Sequence, residues 1–579
     1  MRIRPLPLLF FLLFAGMTPF GTSTAQNALR IPTTLEGPTY NLSLAPSTFE
    51  FFDGTETATY GINGGYLGPT LILEQGDFIQ MRVQNLIGEP TTMHWHGMHV
   101  APEDDGGPHT VIQDGVTWEP DFTVLDRATT FWYHPHLHEH TSEQVYRGLA
   151  GMIIVRDPIE AALDLPRTYG VDDIPVIIQD RQFNQQRQFV FQEGGVGQQG
   201  STIVVNGTVD PFVELAPGIN RLRLLNGSNA RVYQIGLESD ATFYQIGSDG
   251  GLLEAPVALT RLRMAPGERA EVLLDLSGLD GSSFTIMSYS SELTRDEPGG
   301  VRGAGGPPPP PGDIDGTDFP VLEVRISSGG TTATTTLPSS LVDIEKIPEE
   351  DADRIRPMLL NNTAPGPGGR LAINGVELDM NVINEIVTLG DTEIWEITNR
   401  TGGPHPFHIH DVQFQILDRE GEAPSPSESG WKDVVLVYAG ETVRFITKFE
   451  DFANPEVPYM YHCHFLGHED GGMMGQFIVI DPNATAIEEM LMPDDISIAT
   501  YPNPSVDWTT ISWSQEERGH VRLEIFDMLG RSVSLLFDGE RSAGSNESIW
   551  KTGNVSSGVY VVSLQSNDRL VTRLLTVNR

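Results

Sequence analysis

Four His-x-His pairs punctuate this chain: His94-Trp95-His96, His134-Pro135-His136, His408-Ile409-His410 and His462-Cys463-His464. A β-strand points residues i and i+2 to the same face, so each pair sets two imidazoles side by side. Eight imidazoles on four strands can converge on one metal cluster, and a fold that achieves this must be built from sheets. With His405 and His468, ten of the fifteen histidines fall in these clusters; His99, His109, His138, His140 and His520 are left over. The chain's sole cysteine, Cys463, lies inside the last pair. On a strand it faces away from His462 and His464. Two sites then stand back to back, joined by a few covalent bonds, which is a short path for an electron.

The cysteine side has its own spacing. Cys463, His468 and Met473 follow one another at intervals of five. With His405 from another strand they supply two histidines, one thiolate and one weak axial thioether, the ligand pattern of a blue-copper site. Met474 is a rival axial ligand, and the register favours Met473. Structural zinc calls for several cysteines or a closed four-ligand set, so ten clustered histidines with one cysteine fit it poorly. A single cysteine also excludes an intrachain disulfide scaffold.

The remaining sequence agrees with an all-β fold. Gly 60 and Pro 41 imply many turns. Strand-like runs occur at Phe78 to Val83, Met152 to Val155, Val176 to Gln179, Arg221 to Leu225, Glu271 to Leu274, Val434 to Tyr438 and Thr442 to Ile446. A weak repeat of about 150 residues links Val205-Asn206-Gly207 with Asn226, Ile373-Asn374-Gly375 with Asn399, and Gly68-Pro69-Thr70 with Asn85. Several Greek-key β-sandwiches in series are expected. The Pro307–Pro311 run reads as a stiff extended loop. The Thr/Ser/Gly-rich stretch from Ser327 to Ser340 reads as a linker. The last eighty or so residues, from about Tyr501-Pro502-Asn503-Pro504, form a separate unit without a ligand cluster.

These motifs together resemble the multicopper oxidases, in particular the three-domain bacterial laccase and cuprous-oxidase type, over roughly Leu29 to Pro482. The resemblance implies three consecutive cupredoxin-like Greek-key β-sandwiches at 26–165, 166–340 and 341–485, the middle one serving as a spacer. It implies four copper ions. His405, Cys463, His468 and Met473 would hold the type 1 copper, and His94 and His408 the type 2 copper. His96, His134 and His464 would hold one type 3 copper; His136, His410 and His462 would hold the other. Electrons would pass from the type 1 copper through Cys463 to His462 and His464, and dioxygen would be reduced to water. Asp105 resembles the acid that family members place by the type 2 copper, and Glu469 resembles a second proton donor.

The C-terminal unit, 495–579, resembles the immunoglobulin-like sorting domain of type IX secretion cargo. The motifs are Tyr501-Pro502-Asn503-Pro504, Phe526-Asp527-Met528-Leu529-Gly530-Arg531, Gly558-Val559-Tyr560 and a terminal strand. This implies the type IX secretion machinery as a partner.

At the other end, Arg2 and Arg4, an apolar Leu6 to Phe14 and the small residues Ser23 and Ala25 read as a signal peptide, 1–25. No later apolar run approaches membrane length, so the mature chain is expected to be secreted or held at the cell surface, with the periplasm as the alternative. A net charge of −42 argues against nucleic-acid binding. The expected activity is laccase-like oxidation of phenols or aromatic amines. The alternative donor is Cu(I) or another metal ion: the acidic surface would attract cations, but the sixteen methionines form no methionine-rich insert. A copper-free scaffold predicts broken ligand motifs, and none is broken. A copper nitrite reductase would not need all four His-x-His pairs.

Overall fold

The computed structural model describes residues 27–192, 197–301, 312–364, 369–482 and most of 498–577. The expected signal peptide at 1–25, the Pro307–Pro311 run and Pro502, Pro504 and Met528 to Gly530 lie outside these residues. All seven runs of β-branched and apolar residues are strands, except that the run from Val434 stops at Val437, leaving Tyr438 just beyond. Phe78–Asn85 buries alternate residues, as a half-covered strand should, whereas Thr129–His134, Asp173–Arg181 and Ile219–Asn226 are covered along most or all of their length.

The strands form three two-sheet sandwiches in succession. In the first, Thr34–Leu35, Thr70–Glu74, Gly151–Arg156, Thr129–His134 and His94–His96 pair in that order, opposite a sheet built on Thr39–Phe52 and Phe78–Asn85. In the second, a seven-stranded sheet containing Asp173–Arg181, Ile219–Asn226 and Arg269–Asp275 faces a six-stranded one. In the third, one sheet orders Glu385–Thr388, Met474–Ile480, Asn454–Cys463, His405–Ile409 and Val434–Val437, and the other is built on Arg354–Asn362, Thr392–Asn399 and Thr442–Lys448. Apolar side chains fill each interior: Leu42, Met81 and Tyr133 in the first, Val176, Leu224 and Val272 in the second, Trp395, Phe407 and Phe445 in the third.

The sequence repeat has a structural counterpart in each sandwich. Three parallel strand pairs end on the same register: Leu44 opposite Asn85, Ile178 opposite Asn226, Leu360 opposite Asn399. Each asparagine is fully buried and locks the turn that follows it. Its Oδ1 accepts from the backbone N–H two residues on, of Ile87, Ser228 or Thr401. Its Nδ2 donates to two carbonyls, one nearby (Glu89, Arg231, Gly403) and one distant (Ile112, Met264, Val437). Asn206 and Asn374 supply the positive φ of tight Asn-Gly turns, at 49° and 55°. The first sandwich uses Asn63, φ 57°, in the same way. Asn63, Asn206 and Asn374 each accept at Oδ1 from a neighbouring strand's N–H, of Ser43, Ile177 and Leu359.

Residues Asp481–Arg579 form a compact unit of their own. It has a three-stranded sheet, Ile498–Tyr501, Trp508–Gln515 and Gly544–Lys551, and a four-stranded sheet that ends in Arg569–Val577. Its core includes Ile511, Trp513, Leu523 and Val562. Among the described residues no helix is long and apolar enough to cross a membrane.

Candidate metal centre

Strand alternation separates the two faces of the third sandwich as the spacing predicts. His405–Ile409 pairs antiparallel with Asn454–Cys463, setting Phe407 opposite Cys463 and His408 opposite His462. Phe407 and Cys463 therefore face the sandwich interior, while His408 and His462 face outward toward the first sandwich.

On the interior side, Cys463 Sγ lies 3.3 Å from His405 Nδ1 and 3.5 Å from His468 Nδ1. His468 is carried by the short helix Leu466–Asp470, which begins as soon as the cysteine strand ends. Met473 closes the loop: its carbonyl accepts from Cys463 N–H and its N–H donates to the His468 carbonyl. Met474 is paired with His462, on the opposite face from the thiol. Thr401 Oγ1, 2.7 Å from His405 Nε2, accepts a hydrogen bond from that nitrogen and leaves Nδ1 free to bind. Burial pushes the Cys463 thiol well above its ordinary pKa. A thiolate there needs a cation beside it.

On the outer side, eight imidazoles line a chamber between the first and third sandwiches. His94 stacks on His410 with centroids 3.9 Å apart, and His96 on His408 at 3.8 Å. His96 Nδ1 lies 3.2 Å from His464 Nε2 and 3.5 Å from His134 Nε2. His136, His410 and His462 bring their Nε2 atoms within 3.1 to 3.4 Å of one another. The Nε2 atoms of His94 and His408 are buried with no hydrogen-bond partner among the described residues.

The outer partners show which nitrogen carries the proton. His94 Nδ1 donates to the Asp105 carbonyl, His408 Nδ1 to the Asp433 carbonyl, His134 Nδ1 to that of Pro135 and His462 Nδ1 to that of Cys463. His410 Nδ1 donates to Asp105 Oδ2 at 2.8 Å. Each of these rings turns an Nε2 lone pair inward. His96 is reversed: its Nε2 faces Asp433 Oδ1 at 3.2 Å, and Nδ1 points in. Lone pairs 3 Å apart repel unless a cation lies among them, so this donor set fits metal ions. Burial, followed for most of these rings by their neighbouring imidazoles, holds His96, His134, His136, His408, His410 and His464 well below the ordinary histidine pKa, and brings His462 to about 3. They remain neutral, as ligation requires.

Both carboxylates named from the sequence stand behind the imidazoles. Asp105 lies 3.2 Å from His94 Nδ1 through Oδ1 and reaches His410 through Oδ2. Glu469 approaches His136 Nδ1 at 3.4 Å and His462 Nδ1 at 3.3 Å, and both its oxygens are buried with no hydrogen-bond partner among the described residues. Burial, reinforced by Asp470, raises its pKa well above the carboxylate range. None of the five leftover histidines joins a ligand group among the described residues. His99 pairs with Asp411, His109 with Gln476 and His520 with Asp538.

Sequence reasoning missed Asp433, Thr401 and Arg269. No motif marks them; Asp433 shows only as the residue before a strand. The spacer reading of the middle sandwich is also incomplete. Its Arg269 forks onto Asp433, with both bonds at 2.6 Å. Its Asn229 joins the Ser142 carbonyl of the first sandwich to the Leu466 N–H of the third.

Cupredoxin-like sandwiches that bring a His-Cys-His triad and an eight-imidazole chamber onto opposite faces of one strand define a copper-dependent oxidoreductase. The sequence matches models of the multicopper oxidase family at residues 44–160 and 351–483. The chain belongs to that family. Residues 499–578 match the secretion system C-terminal sorting domain, the type IX tail, which directs export to the cell surface or beyond. Among curated relatives, the cell division protein FtsP of Photorhabdus laumondii is 35% identical over 79% of this chain and 93% of its own length. The multicopper oxidase mco of Staphylococcus aureus is 34% identical over 79% and 94%. Among solved structures, the laccase-like multicopper oxidase CueO of the lignin-degrading bacterium Ochrobactrum sp. has a TM-score of 0.70. It is 34% identical, covering 78% of this chain and 100% of that one, and is described as active towards lignin model compounds and lignosulfonate.

Proposed function

We propose that this chain couples one-electron oxidation of phenols or aromatic amines to the reduction of dioxygen to water, using four copper ions. The observation that carries the reading is the strand ending in Cys463, whose adjacent residues serve two separate donor sets. His405, Cys463 and His468, with Met473 as a weak thioether donor, would hold the type 1 ion. His94 and His408 would hold the type 2 ion. His96, His134 and His464 would hold one type 3 ion, and His136, His410 and His462 the other. Bound copper supplies the redox chemistry: four electrons, four protons and one dioxygen give two waters.

The protein's own groups do the rest. The peptide links from Cys463 to His462 and His464 are the shortest covalent connection between the two donor sets. His468, 9% exposed against 2% for His405, is where a donor comes nearest the thiolate site. Glu469, protonated by its burial, holds a proton beside His136 and His462. Asp105 orients His94 and His410 together. Glu469→Gln keeps the shape but removes the transferable proton. Turnover should fall by about 10²–10⁴-fold, the span of general acid catalysis, with little change in donor KM. Steady-state oxygen uptake measures both, and unchanged turnover removes Glu469 from the proton path.

The type IX tail and the leader at 1–25 together fit export, with sandwiches at 26–165, 166–340 and 341–485 and the sorting unit at 495–579. A metal-ion donor is the second reading, favoured by the net charge of −42. Dioxygen uptake by the copper-loaded chain separates the two. Uptake with a phenol that survives removal of loosely bound copper supports laccase-like activity. Uptake only with stabilised Cu(I), or phenol activity that needs added copper, supports the metal-ion reading. No uptake with either donor despite full loading refutes both.

A further inference from the structure

Arg269, from the middle sandwich, has no motif to mark it, yet its guanidinium is completely committed. Nε donates to the Thr130 carbonyl of the first sandwich at 3.0 Å. Nη1 donates to Asp433 Oδ1 and to the Gly267 carbonyl, and Nη2 to Asp433 Oδ2 and to the Asp249 carbonyl. All five N–H bonds are used, on partners from all three sandwiches, at a side chain with no solvent exposure. Space around this fork is tight. Gly97, next to His96, has a φ of +88°, and a Cβ there would lie 2.3 Å from Asp433 Oδ2 and 2.7 Å from Arg269 Nη2.

Asp433 carries the consequence to the imidazoles. Its carboxylate faces His96 Nε2, and its carbonyl accepts from His408 Nδ1 at 2.8 Å. One residue therefore holds a ring in two different donor sets. The inward-facing Nδ1 of His96 follows from this: with Nε2 turned to Asp433, only Nδ1 can point to the chamber.

We propose that Arg269 is a positioning residue for the eight-histidine chamber, locking Asp433 so that His96 and His408 present Nδ1 and Nε2, respectively, to metal. This rests on the proposed copper assignment. It makes the middle sandwich part of the metal centre. A planar fork is required, because a lysine ammonium supplies the charge without the two parallel bonds.

The test is copper retention by the full-length chain. Wild type, Arg269→Lys and Arg269→Met are loaded with copper and dialysed against graded chelator, and copper per chain is followed with the visible copper–thiolate absorption. Both variants are expected to lose chamber copper at about 10–100-fold lower chelator, the cost of removing an outer-sphere partner, while the thiolate band persists. Retention and EPR signal equal to wild type in both variants would overturn the proposal, as would full rescue by lysine, since charge alone would then suffice. Arg223→Met is the control for structural damage. Arg223 is nearly as buried, pairs with Asp173 and Glu271 on the same sheet, donates to the Thr130 hydroxyl, and among the described residues touches none of the proposed ligands. If it loses chamber copper as readily as the Arg269 variants, the effect is general destabilisation and the proposal fails. If Arg269→Met does not fold, Arg269→Lys decides. A wild-type chain that takes up no chamber copper would instead refute the underlying copper assignment.

Discussion

Replacing Cys463 by serine is expected to abolish the visible copper–thiolate absorption and to slow donor-dependent oxygen uptake by more than about 100-fold, beyond the 10–100-fold typical of lost outer-sphere partners. Sγ is the common point of the interior donor set, 3.3 Å from one imidazole and 3.5 Å from the other. A serine hydroxyl is a hard, neutral donor that does not favour copper as a thiolate does. The substitution also cuts the covalent link between the thiolate site and the chamber at its first atom. It barely disturbs packing, because serine is slightly smaller and the surrounding Phe407, Phe465 and Met473 remain. The chamber imidazoles lie on the other face of the strand, so copper analysis should show the loss of the thiolate-site ion alone. Serine protein that kept the visible band, or that still oxidised phenols at the original rate, would rule out the thiolate site as the point of electron entry.

The clustering of the candidate donors was legible in the sequence because strand geometry turns a two-residue spacing into a shared face. Thus His94 and His96, or His462 and His464, could be placed together without knowledge of the fold. The separation of Cys463 from its neighbours followed from the same rule. The three-fold repeat was legible for a related reason: Asn85, Asn226 and Asn399 each satisfy a buried turn that an apolar side chain could not. Arg269 and Asp433 could not be read this way. Their partnership joins positions 164 residues apart, and neither lies in a periodic pattern. Arg221, Arg223 and Arg231 are also buried and paired, so being a buried arginine does not single out Arg269. Only the docking of three sandwiches brings that guanidinium behind His96. Thr401 was similarly hidden: its hydroxyl reaches His405 because Asn399 folds the turn between them.

The copper-free chain should be unusually sensitive to mild acid. Eight buried imidazoles, His96, His134, His136, His405, His408, His410, His462 and His464, have pKa values depressed in the fold, chiefly by burial. In the unfolded chain each returns to about 6.5. The unfolded state therefore binds more protons between the depressed values and 6.5. Stability is fully present above about pH 6.5 and falls as the pH drops below it. Each group contributes about 1.4 kcal/mol per pH unit in that window. Together, one unit below 6.5, they approach on the order of 10 kcal/mol, comparable with the whole stability of a typical domain. Urea-unfolding midpoints of the copper-free chain between pH 8 and pH 5.5 should be level at first and then drop steeply, with several protons taken up per molecule. Bound copper must be displaced before the same nitrogens can be protonated, so the loaded chain should keep its midpoint to lower pH. A level profile for the copper-free chain down to pH 5.5 would mean that water reaches these rings, and that the chamber closes only when metal draws the first and third sandwiches together.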